Sequence, residues 1–321
     1  YYAFAKAMLW TQMAFGYLAG TGNLQNGLSA CRNALILAGT IEDETLIINA
    51  TIIHAFGLTL SGEFNRAAKA LTGIEHLATA TYPEYRTLTN IVRLELALSG
   101  GDLDRTQHLI DDIRKDIDAF GLLFLYPLHV DLTGQFQLHK GRFNALGRTA
   151  NHLEDVATLA ANPFYRGLAM RLRALKAYHQ GRFQRAEMWA RQAVEVVENS
   201  LGESIHLARC RMILGMVAYH QHDFATARQE LDSAREFFSR VSSHLSLAES
   251  LLGLSLVERQ SADGVAADHY LESALARVAS QGYEVFPIIS TRDILSACLP
   301  ASTADWKSPV SPAASSTEWD R

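Results

Sequence analysis

The chain is predicted to be an all-α solenoid of about seven antiparallel helix pairs. Three observations lead there. Alanine and leucine dominate and Val/Ile/Thr alternation is rare, which favours helix almost throughout. A glycine, a bulky apolar residue and a small residue return together, as in "GRFQRAEMWARQA" at 181–193 and "GRFNALGRTANHL" at 141–153. The turn positions 22, 62, 101, 141, 181, 222 and 262 are spaced by 40, 39, 40, 40, 41 and 40 residues. A period that regular is the signature of stacked repeats.

The elements follow from the spacing. Positions +2, +5, +9 and +12 from each turn lie three or four residues apart, on one face of a helix. The seven sets are Leu24-Gly27-Cys31-Ala34, Phe64-Ala67-Leu71-Ile74, Leu103-Thr106-Ile110-Ile113, Phe143-Leu146-Ala150-Leu153, Phe183-Ala186-Ala190-Ala193, Phe224-Ala227-Leu231-Ala234 and the degraded Ala267-Leu271-Ala274. The small +5 residue lets two helices approach; the bulky +2 residue fills the gap beside it. Glycine at the turn admits positive φ just past a helix end. His222 and Ala262 stand there in the last two repeats. Another amphipathic run precedes each turn, so each unit is a helix A followed by a helix B.

The opposite ends carry their own punctuation. Asn162-Pro163 reads as N-cap and first helical residue. Thr40 with Asp43 resembles a capping box. Pro83, Pro127, Gly202 and Ser242-Ser243 fall at the same phase, giving tight turns alternating with looser loops. One pair cannot bury its apolar face alone, so stacking builds a continuous core.

Composition limits function. The net charge of −5 does not suggest a nucleic-acid surface. Cys31, Cys210 and Cys298 lie far apart, which argues for buried thiols in a reducing cytoplasm rather than disulfides or a zinc site. No apolar run is long enough to span a membrane. The start, "YYAFAKAMLWTQMAF", reads as the middle of a helical pattern, as in a piece of a longer protein. Residues 1–299 form the repeat domain; 300–321, rich in Ser, Ala, Pro and Thr, read as a linker or tail.

No Walker A, HExxH, GxSxG or metal-spaced cysteine pair occurs. "GTGNLQNG" at 20–27 is the turn of repeat one rather than a phosphate loop, and His220-x-His222 is a helix end rather than a metal site. Asp102, Asp104, Asp111, Asp112, Asp116 and Asp118 form a solvated helix-B face. The expectation is therefore a protein that is not an enzyme and needs no cofactor.

The pattern G-x-[F/L]-x-x-A-x-x-x-[L/A]-x-x-A resembles the tetratricopeptide repeat, most closely in "KAYHQGRFQRAEMWARQAVEVVE". The units exceed the usual ~34 residues and lack the terminal proline. At about 40 residues they resemble the sensor region of MalT-type bacterial transcription regulators. That resemblance implies a right-handed superhelix whose A helices line a concave groove. It implies a sensor segment that binds a small-molecule inducer or a protein partner. NTPase and DNA-binding (LuxR- or SARP-type) domains would be its neighbours in a longer protein. The alternative is a constitutive scaffold that holds a peptide or helix.

Phase from each turn places Asn49, Phe56, Glu95, Asp131, Gln135, Arg171, Tyr178, Arg209, Met216 and Tyr219 on the groove. His139, His179 and His220 share one repeat position. Residues 164–211 hold nine Lys/Arg against four Asp/Glu, which favours an anionic or carboxylate-bearing ligand, with Arg171→Ala expected to weaken it without unfolding the array.

Overall fold

The computed structural model describes residues 2–74, 82–261 and 264–298. Fifteen α-helices stand among them, with no strand. The A helices are α1 (Tyr2–Phe15), α3 (Glu44–Leu60), α5 (Pro83–Ser99), α7 (Tyr126–His139), α9 (Pro163–His179), α11 (Ile205–His220) and α13 (His244–Gln260). Each precedes its B helix: α2 (Leu24–Thr40), α4 (Phe64–Thr72), α6 (Leu103–Phe120), α8 (Phe143–Leu159), α10 (Phe183–Leu201), α12 (Phe224–Arg240) and α14 (Gly264–Gln281). A last helix, α15 (Thr291–Cys298), follows the seven pairs.

The +5, +9 and +12 positions are buried in every repeat except at Leu271 of the degraded seventh, which is half-buried. The turn conformation is the expected one. Gly62 has φ +77°, and the N–H groups of Gly62 and Glu63 close onto Thr59 and Leu58 carbonyls, a Schellman arrangement. His222 adopts the same left-handed conformation at φ +63° without being glycine. Ala262 and the tail 300–321 lie outside the described residues.

Two local expectations are corrected. The loops between units are not all looser than the turns within them: at Glu42, Ala161 and Ser242 the chain repeats the left-handed turn. Thr40 is no cap. It ends α2, with its hydroxyl donating to the Ile36 carbonyl, while Asp43 itself caps α3 by accepting from Leu46 N–H. Asn162 caps α9 through Phe164 N–H, with Pro163 at the first helical position. Cys31 and Cys210 are buried, and burial pushes their thiols up to about 12 and about 11; Cys298 is exposed, against expectation.

The superhelix closes on itself within one turn. Gly22, in the first repeat, packs against Ile205 at the start of α11. Gln25 Nε2 donates to the Arg240 carbonyl at 2.6 Å, and His244 N–H donates to the Ser61 carbonyl at 2.7 Å. The turn edge of repeats one and two therefore rests on the opposite edge of repeats six and seven. The A helices line a narrow interior instead of an open trough.

Candidate functional site

The interior carries a ladder of ionisable groups set by the period. Asp131 and Arg171 occupy equivalent positions on α7 and α9, 40 residues apart, and form a nearly buried ion pair. Arg209 and Glu249 are likewise equivalent on α11 and α13, with Asn49 at the same phase on α3. Glu95 and Gln135 form a third equivalent pair, and Gln135 Nε2 donates to Asp131 Oδ2 at 3.2 Å.

Burial and charge set the protonation. Burial pushes the Asp131 carboxyl up, but Arg171 and Arg209 outweigh it and hold it below the usual range. Burial pushes Glu95 up, only partly offset by a hydrogen bond with Thr59 and by Arg209. Glu249 is pushed up to about 7 by burial, against two backbone N–H donors and Arg209. Burial, then Arg171 and Arg209, push His206 down, so its ring favours the neutral form. Arg209 is 7% exposed and donates no hydrogen bond to a described residue. It meets Asp131, Glu95 and Glu249 only through attraction at longer range.

Beside this ladder, between the C-terminal end of α1 and the N-terminal ends of α5, α7, α9 and α11, lie two cavities of about 450 and about 390 Å³. They flank the Phe15–Phe124 edge contact, whose centroids are 5.9 Å apart. The larger has apolar walls from Phe15, Leu128, Phe164 and Leu168, and includes Asp131 and His206 as polar groups. Asp131 thus joins the cavity to the ionic ladder.

The other mouth is crossed by the chain's own residues 282–290. Tyr283 Oη donates to the Gly62 carbonyl at 2.6 Å, and Glu284 N–H to the Ser99 carbonyl at 2.8 Å. Glu249 Oε1 accepts N–H from Ile288 at 2.7 Å and from Ile289 at 3.1 Å. His179 Nε2 lies 3.1 Å from the Ile288 carbonyl. Asp293 then accepts from Tyr178 Oη and pairs with His220 Nε2 at 3.0 Å. Burial and the Asp293 charge push Tyr178 well above its ordinary value.

The groove expectations divide accordingly. Asn49, Glu95, Asp131, Gln135, Arg171 and Arg209 surround the interior or its ion pairs. Phe56 and Met216 share the phase of Glu95 and Gln135 but are apolar and fully buried against neighbouring helices. Phe56 packs near Phe15, and Met216 against Gly253. Tyr178 is held under the crossing segment, and Tyr219 packs against His220 and Phe224. Of the three equivalent histidines, His179 binds that segment, His220 pairs with Asp293 on α15 just after it, and His139 is exposed.

Sequence reasoning missed Glu249, His206, Asp293 and the crossing segment. Applying the 40-residue period to Arg209 finds Glu249; nothing comparable marks 282–290. The expectation for Arg171→Ala also changes. Removing the cation directly paired with a nearly buried carboxylate damages the fold, so Arg209, which acts on Asp131 only at longer range, is the residue to substitute.

A Rap protein solved in complex with competence and sporulation factor superposes with a TM-score of 0.64 at 11% identity, over 87% of this chain and 77% of that chain. This is a TPR-like helical repeat fold. BtubC from P. vanneervenii aligns at 16% identity over 83% of this chain and 96% of its own, with a TM-score of 0.34. No family model and no curated protein matches the chain. Among the described residues, no helix of the TPR-like array is long and apolar enough to cross a membrane.

Proposed function

We infer that this chain is a binding module without bond chemistry, whose interior holds an extended segment of a partner protein. The observation that carries the reading is how the interior already holds residues 282–290. It grips main-chain groups: the Ile288 and Ile289 amides, the Ile288 carbonyl and the Glu284 amide. Main-chain contacts accept any sequence of suitable shape, while pockets supply selectivity. Selectivity here would come from the apolar cavity walls and from Arg209, which suits an acidic side chain or a terminal carboxylate. The Rap protein of similar fold, complexed with competence and sporulation factor, supports an interior that takes a partner.

The test is selection of a random peptide library on the full chain. Enriched peptides should compete with a synthetic peptide of residues 282–298 and bind more weakly to Arg209→Gln. A library that yields no peptide dependent on Arg209 sinks the reading.

A second reading is the inducer-binding sensor of a larger MalT-type bacterial regulator, with NTPase and DNA-binding domains as neighbours. The two cavities favour it, since their volumes suit a small molecule. A thermal-shift screen of oligosaccharides, metabolites and amino acids tests it. A ligand at 100 times its Kd adds about 2.7 kcal/mol. The full-length gene supplies the second check: absence of an NTPase motif upstream and a helix-turn-helix downstream removes the regulator.

A further inference from the structure

Outside the interior, a cleft of about 330 Å³ lies between α8, the second half of α9 and the first half of α10. Its lining includes Arg148, Arg173, Lys176, Arg182 and Arg185 and no acidic residue. The whole chain carries −5, so this concentration of cations is local and against the average. It is also built from three helices of two successive repeats.

The five cations differ in their partners. Arg173 is fixed: it pairs with Glu154, donates to Asn151 Oδ1 at 2.8 Å and lies over the Trp189 ring at 4.9 Å. Arg148, Lys176, Arg182 and Arg185 form no ion pair or side-chain hydrogen bond with a described residue. Lys176 is half-buried, and its ammonium lies over the bare backbone of Gly147, where an added Cβ would come within 2.6 Å of Nζ. Asn144, Asn151 and Gln180 add neutral amides to the same wall. Like charges brought together without counter-ions repel, and a bound anion removes that repulsion.

We propose that this cleft is a binding site for a compact, multiply charged phosphate ligand, such as a polyphosphate chain free or carried by a nucleotide. The size is that of a small-molecule site. Four unpaired cations and three amides match several phosphate oxygens at once. A nucleic-acid strand fits less well, because the same helices turn acidic beyond the cleft, at Glu154 and Asp155 on α8 and at Glu187 on α10.

The test is calorimetric titration of the full chain with inorganic tripolyphosphate at two salt concentrations. Binding should weaken with salt. It should fall about tenfold or more in Arg148→Gln/Lys176→Gln, the scale of one or two lost charge-assisted hydrogen bonds. Arg182→Gln/Arg185→Gln should give a similar loss, and both of its positions are exposed, so folding is not at stake. ATP binding as tightly as tripolyphosphate assigns recognition to the phosphates alone; tighter ATP binding assigns a contact to the base as well, and both support the site. No heat with tripolyphosphate, equal binding by both variants, or a single-stranded oligonucleotide that binds more tightly than tripolyphosphate overturns it.

Discussion

Glu249 accepts the backbone N–H of Ile288 at 2.7 Å, from a helix that starts 44 residues before that amide. The same oxygen takes the Ile289 N–H, while Oε2 is buried with no partner among the described residues. One carboxylate therefore anchors the segment that crosses the mouth of the superhelix, and half of its bonding capacity is unmet.

That arrangement predicts a pH dependence of known sign. The folded-state pKa of Glu249 is raised to about 7 from its ordinary 4.5. The folded state then holds the proton more tightly than the unfolded chain. This contribution is fully present below about pH 4.5 and is lost as pH rises through about 7, on the order of 3 kcal/mol in all. Glu249→Gln keeps one acceptor and removes the charge. The variant should melt higher than the parent at pH 8 and show a flatter stability profile from pH 5 to 8. Parallel profiles for the two proteins would show that Glu249 is not the titrating group.

His206 predicts the opposite limb. Its pKa is lowered, first by burial and then by Arg171 and Arg209. Stability from the neutral ring is present above pH ~6.5 and is lost as pH falls through the lowered value. His206→Gln should reduce the loss of stability in acid while leaving the profile above pH 7 unchanged. Chemical denaturation at pH 4, 5 and 7.5 checks it, and an unchanged acid limb sinks the assignment.

Asp131 and Arg171 should behave as a unit. Arg171→Ala leaves a carboxylate in the interior without its main partner, a change worth about 3–5 kcal/mol in buried pairs. Replacing both, as Asp131→Leu with Arg171→Met, should cost less than Arg171→Ala alone. Denaturant melts of the two variants beside the parent decide this. A mild Arg171→Ala would mean that water or Arg209 satisfies Asp131.

The repeat was legible because each of its features has a local cause. Helix spacing, the small residue at +5 and the left-handed turn are all properties of a single unit, and Gly62, Ala67 and Leu71 show them together. The interior was half legible. The phase of Asp131, Arg171 and Arg209 follows from the turn, but how tightly the superhelix closes depends on contacts such as Gly22 with Ile205, across most of the chain. A tight closure is what buries these charges and makes them pair. The crossing of 282–290 had no periodic signal, since that segment breaks the repeat and binds mainly through backbone groups that every residue carries.

The last prediction concerns the +5 position itself. Repeat five has Ala186 there, fully buried; repeat four has Leu146, also fully buried. Leu146 packs against Gly134 on the facing helix α7, where an added Cβ would touch Leu146 Cδ1 at 3.4 Å and crowd Leu172 Cδ2 at 2.7 Å. The equivalent position in repeat five is Ala174. Ala186→Leu should therefore overpack the α9–α10 contact, at about 1–3 kcal/mol. Ala174→Gly alone should cost about 1 kcal/mol as a helix-interior glycine. Together they recreate the pairing of repeat four, so the double variant should be more stable than the sum of the single losses allows. A double-mutant cycle by urea denaturation measures the coupling. Strict additivity would show that the glycine and the leucine of repeat four are not matched to each other.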